Sequence, residues 1–240
     1  MVCFYMLKKV AQHQHHEKIY EALKQFNAAF LNEHNILFGG GTRIALELNE
    51  YRESVDIDFI CPNKDSYKAV RNEVSNISLG NIVTKDFDYI RDIRSDRDAV
   101  RTAIKIDNTP IKLEFVSFAD YELTKATENK FIVPYLDIKS CYVNKLLANA
   151  DRYKEYKDIF DLMAMFHYWG PIPDDSWDIA SEHYTYKTLF YGLEQAFLNK
   201  DNYLEKAKEY SVNEEVSSIL MTDIFPKFEE YIAFEKSRRM

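Results

Sequence analysis

The sequence predicts an α+β protein in which strands are confined to the first half and the second half is all helical. Three observations lead there. Two strictly alternating apolar runs, "SVDIDFI" and "IKLEFVSF", lie before residue 120, and alternation at a period of two is the mark of a strand. A turn of three consecutive glycines, in a chain that has only six, stands between a short apolar segment and a helix-forming one. After Pro134 the pattern changes to helical periodicity and strand signals stop. The boundary divides residues 1–133, an α/β domain, from residues 134–240, a helical domain.

In chain order, Ile19, Leu23, Phe26 and Phe30 fall at i, i+4, i+7 and i+11, which predicts one amphipathic helix over 8–33. "HNILF" reads as a short strand ending at Gly39, and "TRIALELN" as a helix that follows the glycines directly. "SVDIDFI" is the second strand, with Val55, Ile57 and Phe59 on the covered side. "DSYKAVRNEVSNI" is a helix capped by Asn63 or Asp65. Residues 82–90 are ambiguous between classes. "VRTAIKID" and "IKLEFVSF", separated by "NTP", form an antiparallel hairpin. "LDIKSCYVNKLLANA" and "KDIFDLMAMFHYW" are helices, "GPIPDD" breaks the chain, and 176–238 is a Tyr-rich helical tail.

Composition narrows the function. An apolar content of 46% with 15% aromatics supplies a real core and sets disorder aside. The cysteines Cys3, Cys61 and Cys141 are far apart, with no C-x-x-C spacing, which fits a reducing cytosol rather than a disulfide or zinc framework. The start "MVCFYMLKKVAQHQ" does not read as a signal peptide, and no apolar stretch approaches the ~20 residues that span a bilayer. A cytoplasmic protein without a membrane role is expected. The net charge of −8 argues against one that coats nucleic acid non-specifically. A local basic groove remains open, and "RDIRSDRDAVR" (91–101) and "KSRR" (236–239) are its candidates, although such runs are also ordinary solvated surface.

The chemistry concentrates around the second strand. Asp56 and Asp58 share the face opposite Ile57 and Phe59, so either they point to solvent or they hold a metal. In "IKLEFV" the same rule sends Ile111, Leu113 and Phe115 inward and Glu114 outward with Lys112. If the two strands are neighbours, Asp56, Asp58 and Glu114 converge, a carboxylate set suited to magnesium or manganese. The glycine turn at Gly40 and Gly41, with Thr42 adding a hydroxyl, exposes backbone N–H groups and the positive end of a helix, which favours phosphate. Each feature alone has a plainer reading, as a turn or as the wet face of a sheet; their conjunction and order carry the functional one.

That order resembles the nucleotidyltransferase superfamily of the DNA polymerase β type, whose signature is a Gly-Gly/Ser turn followed by a D-x-D strand. "GGGTRIALELNEYRESVDIDF" closely resembles the AbiEii toxin family within it, and "VNKLLANADRYKEYKDIFDLMAMF" resembles that family's later K-L…R…(K/R)-D-x-x-D-L helix pair. The resemblance implies a nucleotidyltransferase-like mixed sheet with flanking helices. It makes Gly40, Gly41 and Thr42 the phosphate-binding turn, Asp56 and Asp58 metal ligands, and Glu114 the third carboxylate. Lys145 takes the place of the family's catalytic-region lysine, and Asp158 and Asp161 that of its late aspartates. Lys145 also has its own rationale, since a lysine facing a triphosphate neutralises it; a solvent-facing lysine is the plainer alternative. Arg52 is free to pair with Asp58, to meet a phosphate, or to lie exposed.

His13, His15 and His16 in "HQHH" lack the i, i+4 spacing of a metal pair, and His167 and Trp169 read as packing residues. Neither a G-x-S-x-G nor a P-loop motif is present. The resemblance implies transfer of an NMP from an NTP, with Mg2+ or Mn2+, to an acceptor hydroxyl. The acceptor class would be RNA, tRNA 3′ ends above all, and the setting a toxin–antitoxin or phage-defence pair with a cognate antitoxin. A small-molecule nucleotidyltransferase of the antibiotic-modifying kind and a non-catalytic interaction module are the alternatives.

Overall fold

The computed structural model describes residues 13–118 and 121–240. Its centre is a five-stranded sheet in the order β1-β2-β5-β4-β3, formed by β1 (Leu37–Gly39), β2 (Asp56–Cys61), β3 (Asp88–Ser95), β4 (Ala99–Ile106) and β5 (Thr109–Ser117). The sheet is mixed: β2 and β5 run parallel, and the other neighbouring pairs are antiparallel. Helices α1 (Gln14–Leu23), α2 (Ala28–Glu33), α3 (Gly40–Glu47) and α4 (Lys64–Glu73) intersperse these strands. After Tyr135 and Leu136, which bridge to Phe38 and Lys125, the second half carries helices as its regular elements: α5 (Ile138–Arg152), α6 (Lys157–Trp169), α7 (Asp174–His183), α8 (Tyr186–Leu198), α9 (Tyr203–Glu209), α10 (Glu214–Ile219) and α11 (Phe225–Arg239). The α+β class expected from the sequence holds.

One face of the sheet builds the first core. Ile57, Phe59, Leu113 and Phe115 are buried with Phe26 and Ile19, and the Phe59 and Phe115 rings stack at 5.1 Å. The opposite face begins polar, with Asp56, Asp58, Lys112 and Glu114, and ends apolar, with Ile60 and Val116. Ile60 is buried among Leu136, Leu146 and Tyr142 of the second core, and Val116 is packed against it. Leu37, Ile44, Ala45 and Tyr51 also belong to that second core. The helical half is therefore seated on α3 and the sheet, and covers the apolar end of the face whose polar end carries the aspartates.

Several local expectations need correction. The single helix expected over 8–33 is two helices within the described residues; 8–12 lie outside them. Asn27 N–H donates to the Ile82 carbonyl at 2.9 Å, and Thr84 N–H donates to that of Gln25 at 2.8 Å, so pairing with a distant segment overrides helix continuation. Asn27 then caps α2 by accepting from Phe30 N–H at 3.2 Å. Val55 precedes β2 and is exposed rather than covered. The ambiguous stretch ends in an edge strand starting at Asp88. The β4–β5 turn is Asp107–Asn108 rather than "NTP", and Asp107 takes a left-handed φ of 52° that short polar side chains tolerate. Asn63, not Asp65, caps α4, accepting from Ser66 N–H at 2.8 Å.

Candidate active site

The parallel pairing of β2 with β5 sets Asp58 opposite Glu114 and Asp56 opposite Lys112. These side chains line a cavity of about 700 Å³ between the polar face of the sheet, α3, α5 and α6; Gly40, Gly41, Lys145 and Asp158 line it too. Sheet and helical halves thus face one space.

Gly40 opens α3 with φ +68°, and a Cβ there would collide with the Asp58 carboxylate. The aspartate is therefore seated directly against the backbone at the start of the helix, a place that only glycine leaves free. Gly39, the N-cap residue, offers no side-chain cap, so the positive end of α3 is presented to the cavity. Burial, and after it the charges of Asp56 and Glu114, push the Asp58 pKa up to about 6. The neighbouring carboxylates thus add to a rise that desolvation begins, and a cation beside them would relieve both.

The third carboxylate stands differently. Glu114 accepts from Arg101 Nε at 3.0 Å and from Lys112 Nζ at 2.7 Å, so its charge is already met. Among the described residues no group of three His, Cys, Asp or Glu side chains is arranged to hold a metal. Asp56 and Asp58 remain as a pair on the cavity face. A pair fits magnesium, which binds through one or two carboxylates and completes its shell with water and substrate phosphates. The donor set thus suits the ion with two ligands rather than three.

Thr42 sits at the third position of α3 and is buried. Its hydroxyl donates to the Asp56 carbonyl and lies 2.8 Å from Ser54 Oγ, so it ties α3 to the segment that becomes β2. It is not among the residues that line the cavity.

On the helical side, Lys145 of α5 reaches two aspartates one helical turn apart on α6. Its Nζ lies 2.7 Å from Asp158 Oδ1 and 2.5 Å from Asp161 Oδ2. Burial opposes the ammonium charge, but the two carboxylates outweigh it and raise the Lys145 pKa. Asp161 is fully buried; burial is again outweighed, here by Arg52 and then Lys145, and its pKa falls to about 2. Arg52 pairs with Asp161 and not with Asp58: Nε donates to Oδ1 at 2.8 Å and Nη2 to Oδ2 at 3.0 Å. Tyr51 also donates to Asp161. A Cβ on Gly41 would strike Arg52 Nη2 and come within 3.3 Å of Asp161 Oδ2. Gly41 is thus required by this ion pair.

The 49–54 loop that carries Arg52 has its own fastening. His16 is fully buried, with Nδ1 2.9 Å from Glu50 Oε2 and Nε2 accepting from Ser54 N–H at 3.0 Å. That geometry requires the neutral ring with its proton on Nδ1, and burial lowers its pKa accordingly. Sequence reasoning missed this strut; it placed Lys112 on the outward face and quoted Arg152 within the later block, but gave neither a role. Arg152 donates from Nε to Asp158 Oδ2 at 2.7 Å and lines the cavity. It lies seven residues after Lys145, two turns along the same face of α5, so its spacing carried the signal. Trp169 packs as expected, with the buried Arg43 guanidinium 4.9 Å from its ring.

A family model for the nucleotidyl transferase AbiEii toxin of type IV toxin–antitoxin systems matches residues 21–231. The chain belongs to that family. It is accordingly a nucleotidyltransferase, and the family implies a nucleotide substrate and an antitoxin partner. Among curated proteins none matches the chain. Solved structures that resemble it include a candidate nucleotidyltransferase from Helicobacter pylori, at 18% identity and a TM-score of 0.49, over 90% of this chain and 95% of that one. JHP933 from the same organism matches at 18% identity and 0.46, over 92% and 96%. An antigenic nucleotidyltransferase-like protein from Paracoccidioides brasiliensis matches at 15% and 0.43, over 84% and 96%. No helix among the described residues is long and apolar enough to cross a membrane.

Proposed function

We propose that this AbiEii-family chain transfers a nucleoside monophosphate from an NTP to an RNA hydroxyl, with tRNA as the acceptor class, acting as the toxin of a phage-defence pair in the cytoplasm. The observation that carries the reading is the shared cavity, where Asp56 and Asp58, the uncapped start of α3, and Lys145 meet. In the reaction the acceptor oxygen attacks the α-phosphorus, the bond from that phosphorus to the β-phosphate oxygen breaks, and pyrophosphate leaves. The hydroxyl proton goes to solvent water.

Magnesium or manganese held by Asp56 and Asp58 would neutralise phosphate charge and polarise the reacting oxygens. The backbone at Gly40 and Gly41 offers the triphosphate the positive end of α3. Lys145 and Arg152 bring cationic charge from α5, while Asp158 and Asp161 fix the Lys145 ammonium in place. Glu114, already met by Lys112 and Arg101, orients the Lys112 ammonium at the cavity wall.

The test is calorimetry of Mg·NTP binding to wild type and to D56N/D58N. The reading expects the variant to lose metal-dependent binding while still folding. Unchanged affinity sinks the metal assignment.

A further inference from the structure

A second cavity, of about 630 Å³, opens between α4 and the 96–98 turn, lined by Lys64, Lys68, Arg71, Arg97, Asp98 and Ser117 among others. Lys64, Lys68 and Arg71 stand at i, i+4 and i+7 on α4, one stripe of a helix, beside the Ser66, Tyr67 and Val70 positions that fasten α4 to the sheet. Lys68 and Arg71 form no ion pair among the described residues. Arg97 is 95% exposed at its side chain and lies 3.7 Å from Asp98, the one acid of the lining. In a chain of net charge −8, a groove with four cations and one carboxylate is a local reversal of sign.

Ser117 lines this groove and also the cavity that holds Asp56 and Asp58. It follows Glu114 by three residues in β5, about 10 Å at ~3.3 Å per residue. The two spaces therefore adjoin around the end of β5, one acidic at its reacting end and the other basic.

We infer that the α4 groove is the docking surface for the phosphodiester backbone of the RNA acceptor, holding the phosphates upstream of the hydroxyl that enters the Asp56/Asp58 cavity. This rests on the RNA reading of the function. Charge complementarity selects the occupant: lysines and arginines along a groove neutralise successive phosphates and release counterions, without reading sequence. The groove sets affinity for the acceptor and leaves the NTP site alone, because none of its cations lines the catalytic cavity.

The test compares wild type with K68E/R97E, using unfractionated tRNA and each labelled NTP with magnesium, alongside Mg·NTP calorimetry. The expected result is a rise of about tenfold or more in KM for RNA, with kcat and Mg·NTP affinity kept. The salt slope of tRNA binding should shrink by about 0.7 for each phosphate contact removed. K68R/R97K should retain wild-type behaviour. If the double reversal fails to fold, R71A, a truncation at an exposed position, decides by the same KM and slope. Labelled RNA with KM and slope insensitive to these variants overturns the groove alone. No RNA bound or labelled by wild type overturns the RNA reading and the groove with it.

Discussion

Asp58 joins the geometry of the chain to its electrostatics. Its pKa is about 6 in the fold against an ordinary 3.8, so the native state holds the proton more tightly than the unfolded chain. Above about pH 6 the fold carries a half-buried, crowded carboxylate at a cost on the order of 2–3 kcal/mol, and below about pH 4 that cost is gone. D58N should therefore be more stable than wild type at pH 7.5, and the difference should fade as the pH falls from 6 to 4. Urea denaturation at both ends of that window checks it; an equal difference at the two pH values contradicts the assignment. Magnesium should narrow the gap at pH 7.5, because an ion on wild type offsets the same repulsion. Arg52 poses the opposite case. With Arg52 truncated, the buried Asp161 keeps Lys145 and Tyr51 but loses its bidentate partner. R52A should cost about 3 kcal/mol, the scale of breaking a buried pair, and G41A should cost part of that by displacing the same guanidinium. Thermal melts of both variants read this directly; an unchanged melting temperature for R52A would remove the pair from the account.

At the scale of elements, Asn27 shows how a local device takes over where periodicity misleads. Its side chain caps α2, and N27A should lose about 1 kcal/mol in a urea titration, whereas a continuous helix would be indifferent to the change. The apolar spacing that suggested one helix was real, since Ile19, Leu23 and Phe26 do face one core. Spacing alone does not record that Gln25 and Asn27 pair with 82–84. The same division runs through the site. Alternation in β2 and β5 was enough to assign the faces of Asp56, Asp58 and Glu114. That Arg101 lies across from Glu114 depends on strand register, which one strand cannot disclose. Thr42 was visible as a hydroxyl after glycines, but its partner, the Asp56 carbonyl, comes from the next strand. His16 looked like a poor metal ligand, and the residues that explain it, Glu50 and Ser54, are separated from it by α2, β1 and α3.

Across the whole molecule, the helical half completes the site. Lys145 and its aspartates come from α5 and α6, Asp56 and Asp58 from β2, and the apolar end of the same sheet face seats the helices that hold them together. K145A should consequently reduce nucleotide transfer by a large factor while leaving metal affinity nearly intact. K145R should rescue only in part, since a planar fork replaces a compact ammonium between Asp158 and Asp161. Loss of metal binding in K145A would merge the two roles and contradict this division. The central claim is that nucleotidyl transfer takes place at the Asp56/Asp58 face of this cavity. The most direct measurement incubates wild type and D56N/D58N with magnesium, tRNA and each α-labelled NTP in turn, with circular dichroism confirming that both are folded. Labelled RNA from the wild type, for at least one NTP, and none from the folded variant is the predicted result; labelling by the folded variant at the wild-type rate would contradict the account.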